Sequence, residues 1–306
     1  MWGIKYKKNI LSALMLNKVL IDYKRNKMMK EKLNAFVADF KQETLLDAIR
    51  IKLSSNPALG ITQSKVGGFF YLPKSAAIPT NSKGEQLMFL AQINCEELPD
   101  NSIYPKKGIM QFWIFGGDYD MGNDYDNPCS DENKRVIYYP AIEDHYGADE
   151  LAAIYNPQDD EDGELITPIC TDKPLSMSFK LEKQWRLPSD YRFEKAFMEK
   201  WNACFPEKRI EELWQLDDDI AELVCEILDI EEHTQIGGYG YFTQSDPRMY
   251  ESLADYTEMI FQLDSYSGDE DCEIMWGDCG VGNFFVTKEQ LKNLDFANCL
   301  YNWDCC

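Results

Sequence analysis

Apolar residues recur at helical spacing near the start of the chain. The first stripe predicts an amphipathic helix, because its members fall at i, i+3, i+4 and i+7: Leu33, Phe36, Val37 and Phe40. A second stripe, also expected to be helical, follows at Leu46, Ile49 and Leu53. Both helices are expected to cover a sheet and to end before Asn56-Pro57, since proline stops a helix.

The middle of the chain, about residues 187–230, is predicted to be a helical insert. Ser189 is a suitable N-cap for a helix that runs through Cys204. A longer apolar stripe follows at Leu213, Leu216, Ile220, Leu223, Val224 and Ile227.

Short aromatic and β-branched runs elsewhere predict strands. They lie at residues 69–72, 87–93, 108–115, 135–139, 177–185 and 298–303. Thr287 and Gln290 have capping-box spacing and predict a short helix before the last strand. Because strands and helices are grouped rather than alternating, we expect an α+β fold with an antiparallel sheet flanked by helices.

Two parts of the chain repeat each other, which predicts an internal duplication. Lys65-Val-Gly-Gly-Phe-Phe-Tyr-Leu72 matches Gln235-Ile-Gly-Gly-Tyr-Gly-Tyr-Phe242, and Leu90-Ala-Gln-Ile-Asn94 matches Ile260-Phe-Gln-Leu-Asp264, both at an offset of 170 residues. Two β units that share one core are therefore expected, over about residues 62–140 and 235–304. Each Gly-Gly pair is expected to form a tight bend at the entry to its strand.

The chain has 306 residues and a formal net charge of −22, which is unevenly placed. Residues 1–32 carry nine Lys or Arg against Asp22 and Glu31, a net of +7, so the remainder carries −29. A field of this sign repels nucleic acid and anionic lipid and attracts basic proteins. No apolar run reaches 18 residues, so no membrane span is expected. Residues 1–28 are interpreted as a basic extension, disordered or outside the native protein, and residues 29–306 as one domain.

Ten cysteines are scattered without a C-x-x-C pair, and the histidines are His145 and His233. This composition favours reduced thiols in a cytoplasmic protein, and no metal or other cofactor is expected. Two acidic loops, at residues 116–133 and 158–164, alternate carboxylates as calcium loops do. Gly122 and Cys129 stand where an EF-hand needs ligands, so solvated loops are favoured over weak calcium sites.

Several motifs in the two β units belong together in a known family. They are Gly67-Gly-Phe-Phe-Tyr-Leu-Pro73, Phe89-Leu-Ala-Gln-Ile-Asn94, Ile236-Gly-Gly-Tyr-Gly-Tyr-Phe-Thr-Gln-Ser-Asp-Pro-Arg248, Phe261-Gln-Leu-Asp264, Met275-Trp-Gly-Asp-Cys-Gly-Val-Gly-Asn-Phe-Phe285 and Leu300-Tyr-Asn-Trp-Asp304. The combination resembles the bacterial YwqG-like family of domains of unknown function, over nearly all of residues 29–306. Phe70 and Gly240 depart from it, because the family usually has proline at these positions. The resemblance implies a soluble α+β fold, no established reaction, and kinship with proteins that look like toxin-neutralising immunity proteins.

Repeated polar residues at strand ends are the first candidates for a binding site. Gln92 and Gln262 each end an apolar strand, and Asn94 and Asp264 follow two residues later. These residues could form the floor of a polar groove between the β units. The favoured alternative is that the buried amides satisfy backbone groups where the strands bend.

Three further residues are candidates, each with a structural alternative. Arg248 in Asp246-Pro247-Arg248 could bind a carboxylate or phosphate, or could form a turn with an Asp–Arg pair. Trp276 could lie on a recognition face or in the core. Asp278 precedes Cys279 in a motif like the nucleophile loop of cysteine proteases, but the repeat predicts an ordinary turn before a strand there.

The sequence lacks a catalytic set with a credible general base, so a binding protein is favoured over an enzyme. We expect an acidic cytoplasmic protein that contacts a basic protein and, by the resemblance, neutralises a toxin. The alternative is an enzyme or small-ligand binder that uses the cleft between the two β units.

Overall fold

The computed structural model describes residues 29–56, 58–228, 234–268 and 273–306. The basic extension predicted at residues 1–28 lies outside the described residues, as do Pro57 and His233. The side chains of Leu223 and Ile227, from the predicted stripe in the insert, are likewise outside the description.

Helices and strands follow one another in this order: α1 (29–43), β1 (Leu46–Ser55), β2 (Lys65–Val66), β3 (Met88–Asn94), β4 (Ile109–Ile114), β5 (Lys134–Tyr139), α2 (Ala148–Ile154), β6 (Leu175–Gln184), α3 (Phe193–Cys204), α4 (Asp218–Leu228), β7 (Gln235–Gly237), β8 (Glu258–Asp264), β9 (Tyr266–Ser267), β10 (Glu273–Ile274), β11 (Val281–Val286), α5 (Lys288–Asn293) and β12 (Leu300–Asp304). Thr287 and Gln290 form the predicted capping box of α5.

One compact unit is helical and contains the described residues 29–44 and 194–228. The predicted stripe of α1 is buried, and its aromatic rings pack on α3: Phe36 meets Trp201 edge-on, with ring centroids 5.5 Å apart, and Phe40 meets Phe197 at 5.8 Å. The Lys200 ammonium lies 2.7 Å from the Glu43 carboxylate. This unit is thus held by an aromatic seam between helices distant in sequence.

The second predicted helix near the start is wrong, because Leu46–Ser55 is a strand. Ile49, Ile51 and Leu53 are buried at a spacing of two, whereas Leu46 is 42% exposed. The helical prediction connected Leu46, Ile49 and Leu53 and passed over Ile51. Pairing with β6 along ten residues, and with β7 on its other edge, makes β1 a central strand.

The other compact unit contains the described residues of 45–193 and 234–306 and includes a ten-stranded sheet. Its strand order is β12-β11-β8-β7-β1-β6-β2-β3-β4-β5, and each pair for which a register is known is antiparallel. The predicted mixture of helices with an antiparallel sheet is confirmed.

The sheet has the same arrangement on either side of its central β1–β6 pair. A short strand follows on each side, β2 or β7, and then three longer antiparallel strands. Lys65 pairs with Gln92 in one half, and Gln235 pairs with Gln262 in the other. The inner faces of the two halves meet in one core, where the Phe112 and Phe261 rings stack at 4.5 Å.

Glycine pairs end the short strands in both halves. Gly67 and Gly68 have φ of +66° and +71°, and Gly237 and Gly238 both have +69°. Only glycine adopts this backbone without strain, so the predicted tight bend is confirmed. It lies at the end of β2 and β7 rather than at the entry to a strand. The strand predicted at residues 69–72 is therefore wrong, because the bend ends the ladder at Val66.

Candidate functional site

Gln92 and Gln262 lie inside the sheet, where each amide holds the chain that follows a glycine bend. The Gln92 Oε1 accepts from the Tyr71 N–H at 2.9 Å, and its Nε2 donates to the Ile61 and Gln63 carbonyls at 2.7 and 2.8 Å. In the other half, the Gln262 Oε1 accepts from the Tyr241 N–H at 2.8 Å. The residues that pair with Gln92 and Gln262 on the adjacent strands bind the same two segments. Gln111 donates to the Tyr71 carbonyl at 2.6 Å, and Asn283 donates to the Tyr241 carbonyl at 2.9 Å.

Asn94 and Asp264 follow these amides at the strand ends. The Asn94 side chain caps a 3-10 helix by accepting from the Glu96 N–H at 3.1 Å, and it donates to the Thr62 carbonyl at 3.1 Å. The Asp264 N–H donates to the Thr234 hydroxyl at 3.1 Å. The Gln92, Gln262 and Asn94 side chains thus fasten loops to the sheet, and Asp264 does so through its backbone N–H.

Arg248 is buried, 1% exposed, and its guanidinium fork is occupied by Asp246. Nε donates to Oδ1 at 2.8 Å and Nη2 donates to Oδ2 at 2.7 Å. The guanidinium also lies 4.1 Å from the centre of the Phe285 ring. The pair stabilises the segment between β7 and β8, which agrees with the structural alternative that the sequence allowed for this motif.

A second aspartate joins this buried network. Burial alone would raise the pKa of Asp190, but the hydrogen bonds and charge of Arg192, together with the charge of Arg248, outweigh it and lower that pKa. The Arg192 Nε and Nη2 donate to the two Asp190 oxygens at 2.8 and 2.6 Å.

Trp276 directly precedes a turn that contains Asp278. Trp276 is fully buried and packs against the Cα of Gly282, where an added Cβ would lie only 2.5 Å from the indole. Asp278 is exposed in the turn that precedes β11, and Cys279 has a φ of +65°. The turn predicted for this motif is confirmed.

A groove of about 720 Å³ lies between the loop before β5 and the segment between β7 and β8. We call it the tyrosine groove; its walls include Tyr125, Tyr250, Tyr256, Trp303, Asp126 and Asp304. Tyr125 and Tyr250 are 70% and 65% exposed, although most large aromatic residues of a folded protein are buried. The described residues that line it include no Lys, Arg or His. The tyrosine groove therefore combines exposed rings with negative charge.

Aspartate side chains order the first wall of the groove. The carboxylate of Asp118 accepts from the Asp120 N–H at 3.1 Å, and that of Asp124 accepts from the Asn127 N–H at 2.9 Å. The Trp303 indole N–H donates to the Asp120 carbonyl at 2.6 Å and ties the loop to β12. These turns leave the Asp126 carboxylate at the surface.

Asp304 lies at the base of the other wall, 8% exposed. Its carboxylate accepts from the Thr243 N–H and hydroxyl at 3.1 and 3.0 Å, and from the Gln244 N–H at 3.2 Å. Burial nevertheless raises the pKa of Asp304 above its ordinary value, and the three hydrogen bonds oppose this rise only in part.

We expect an NMR titration of the Asp304 carboxyl carbon to give a midpoint above the unperturbed value of about 3.9. The native pKa exceeds the unfolded one, so the native state binds this proton first. At pH values above both pKa values, the ionised Asp304 carboxylate lowers the free energy of unfolding by its full amount. As the pH falls through the native pKa towards the unfolded pKa, this loss of stability disappears. A midpoint at or below about 3.9 would contradict this account.

None of the seven residues predicted from the sequence lines the tyrosine groove: Gln92, Asn94, Gln262, Asp264, Arg248, Trp276 and Asp278. Their role in binding stays a prediction. The sequence carried a signal for the groove in Asp124-Tyr125-Asp126, where a tyrosine stands between two aspartates in a polar loop.

Within the described ranges, no group of three or more His, Cys, Asp or Glu side chains is placed to hold a metal ion. The same part of the chain contains no helix with the length and apolar character needed to cross a membrane.

Comparison with protein families gives one match, which covers most of the chain. Residues 64–305 match the family described as "Domain of unknown function (DUF1963)". The chain belongs to this family. The DUF1963 match spans both halves of the sheet and all of the tyrosine groove. No curated protein matches the chain.

Proposed function

We propose that this DUF1963 protein binds a basic protein through its acidic surface. The observation that carries the proposal is the ordered acidic loop beside the tyrosine groove. Asp118, Asp120, Asp124 and Asp126 lie within nine residues, in a chain of net charge −22. Asp120 and Asp126 are exposed, and Asp118 and Asp124 are half-buried. Carboxylates of one sign at the surface attract a basic partner over about 10 Å at 0.1 M salt and favour its association.

A second acidic segment lies at residues 159–164. Asp160 orders it by accepting from the Asp162 and Glu164 N–H groups at 3.0 and 2.8 Å. The other carboxylates, Asp159, Glu161, Asp162 and Glu164, belong to exposed residues. The proposal assigns this segment a role in attracting the same partner.

We further propose that the protein acts in the cytoplasm, and that its partner is a toxin that it neutralises. This rests on the resemblance of its motifs to the YwqG-like family. The matched glycine bends and the matched amide contacts of Tyr71 and Tyr241 support an internal duplication.

A small-ligand binder or enzyme is the second candidate, favoured by the size of the groove. A volume of about 720 Å³ lies within the range of small-molecule sites, roughly 300–1,000 Å³. This alternative places the ligand between residues 123–129 of the first half and residues 244–256 of the second.

Neutralising the acidic loop tests the proposal with a poly-arginine peptide as the probe. Changing Asp118, Asp120, Asp124 and Asp126 to Asn keeps the turn-forming side-chain oxygens and takes the net charge from −22 to −18. We expect the affinity to fall about tenfold or more, since each exposed ion pair contributes about 0.2–1 kcal/mol. Fluorescence anisotropy measures the change.

The matched control removes four exposed carboxylates from the helical unit and reaches the same net charge. It changes Glu194, Glu199, Glu207 and Glu211 to Gln. We expect the affinity of this variant for poly-arginine to fall by less than about threefold, because the charges that it removes do not belong to the proposed binding surface. Equal losses in the two variants would show that only net charge matters, and would reject the acidic loop as the binding surface.

A further inference from the structure

We propose that the tyrosine groove binds one arginine side chain of the basic partner, with the guanidinium against tyrosine rings and beside the Asp126 carboxylate. This inference rests on the proposed function and adds the chemical group that is recognised.

The aromatic walls are the first support. The faces of Tyr and Trp attract a cation placed within about 6 Å of the ring centre. Tyr125 and Tyr250 present exposed rings, and Tyr256 and Trp303 contribute partly buried ones. Arginine suits such walls better than lysine, because its planar guanidinium stacks on rings and forks to a carboxylate.

Charge is the second support. Among the described residues, no hydrogen bond or ion pair engages the Asp126 carboxylate. The backbone N–H of Asp126 donates to the Asp124 carboxylate. The buried carboxylate of Asp304 adds negative charge to the opposite wall. With no Lys, Arg or His among the described lining residues, a ligand cation is the complementary group.

The rigidity of the walls is the third support. Trp303 lines the groove and also anchors the acidic loop through its bond to the Asp120 carbonyl. On the other wall, Tyr256 is held by a hydrogen bond from its hydroxyl to the Asn298 carbonyl at 3.1 Å. A groove formed before the ligand arrives loses less conformational entropy on binding.

The test compares two short peptides of neutral background, one with a central arginine and one with citrulline, its uncharged isostere. Calorimetry with the intact protein is expected to show the arginine peptide binding about tenfold more tightly. The double variant Tyr125→Leu with Tyr250→Leu is expected to remove most of this preference. Asp126→Asn is expected to reduce it severalfold.

Tyr119→Leu is the matched control. Tyr119 stands in the same loop between two aspartates and is 75% exposed, but it does not line the groove. We expect it to leave the preference for arginine unchanged. All of these side chains are exposed, and circular-dichroism melts would verify that each variant is folded.

Two results would overturn the inference: equal binding of the arginine and citrulline peptides, or an equal effect of the Tyr119 variant and the groove variants. These failures are distinct from failure of the proposed function. If poly-arginine still binds through the acidic loop, only the arginine site is rejected. If poly-arginine binding does not depend on that loop, the proposed function is rejected as well.

Discussion

Replacing Arg248 with Met is expected to destabilise the protein by about 3–5 kcal/mol. The guanidinium is 1% exposed and makes two hydrogen bonds to Asp246, whose Oδ2 also accepts from the Tyr191 N–H at 3.1 Å. Removing the cation leaves the Asp246 carboxylate buried without its counter-charge. Loss of the contact with Phe285 adds to the cost. Urea denaturation measures the change in the free energy of unfolding.

One further variant separates the charge of Arg248 from its hydrogen-bond geometry, and another serves as a surface control. Arg248→Lys keeps a cation near Asp246 but cannot form the two-bond fork, so we expect a smaller loss. Arg209→Met changes an exposed arginine in the helical unit and should alter the free energy of unfolding by less than about 0.5 kcal/mol. A loss below about 1 kcal/mol for Arg248→Met would reject a structural role for the buried pair.

Replacing Gln92 with Leu is expected to lower the free energy of unfolding by about 2–4 kcal/mol, the second large effect. Leucine fills a similar volume but leaves the Tyr71 N–H and the Ile61 and Gln63 carbonyls without their partner. The buried Tyr71 N–H left without a partner costs about 1–3 kcal/mol. The carbonyls belong to the partly buried Ile61 and the exposed Gln63, so each adds a smaller cost. Thermal and urea denaturation measure the loss.

The second half of the sheet supplies an independent check. Gln262→Leu removes the matching bond to the Tyr241 N–H and should destabilise the protein in the same direction. Exposed Gln42→Leu, in the helical unit, should cost less than about 1 kcal/mol. If Gln92→Leu lowers the free energy of unfolding by no more than this control, the Gln92 amide does not hold the chain after the glycine bend.

Much of the fold could be predicted from the sequence, because local patterns report it. Short aromatic and β-branched runs identified β3, β4, β5 and β6, and the capping box identified α5. The prediction was wrong for β1, because it joined Leu46, Ile49 and Leu53 at helical spacing and passed over Ile51. Only pairing with β6 and β7, which are distant in sequence, decides that segment.

The tyrosine groove could not be predicted in the same way. Its walls come from residues 123–129, 244–256 and 302–305, and no local pattern shows that these segments meet. Tertiary contacts such as that of Trp303 with Asp120 bring them together. Arg248 illustrates the converse, since a sequence motif suited to ligand binding is satisfied inside the fold by Asp246.

The most direct test of the central claim is the salt dependence of poly-arginine binding to the intact protein and to the acidic-loop variant. The account predicts that affinity falls as salt rises from about 50 to 200 mM, and that the fall is shallower when the four aspartates are asparagines, because fewer exposed charges are screened. The control variant with Glu194, Glu199, Glu207 and Glu211 changed to Gln should keep the salt dependence of the intact protein. Identical slopes in the intact protein and the acidic-loop variant would contradict the claim that this loop binds a basic partner.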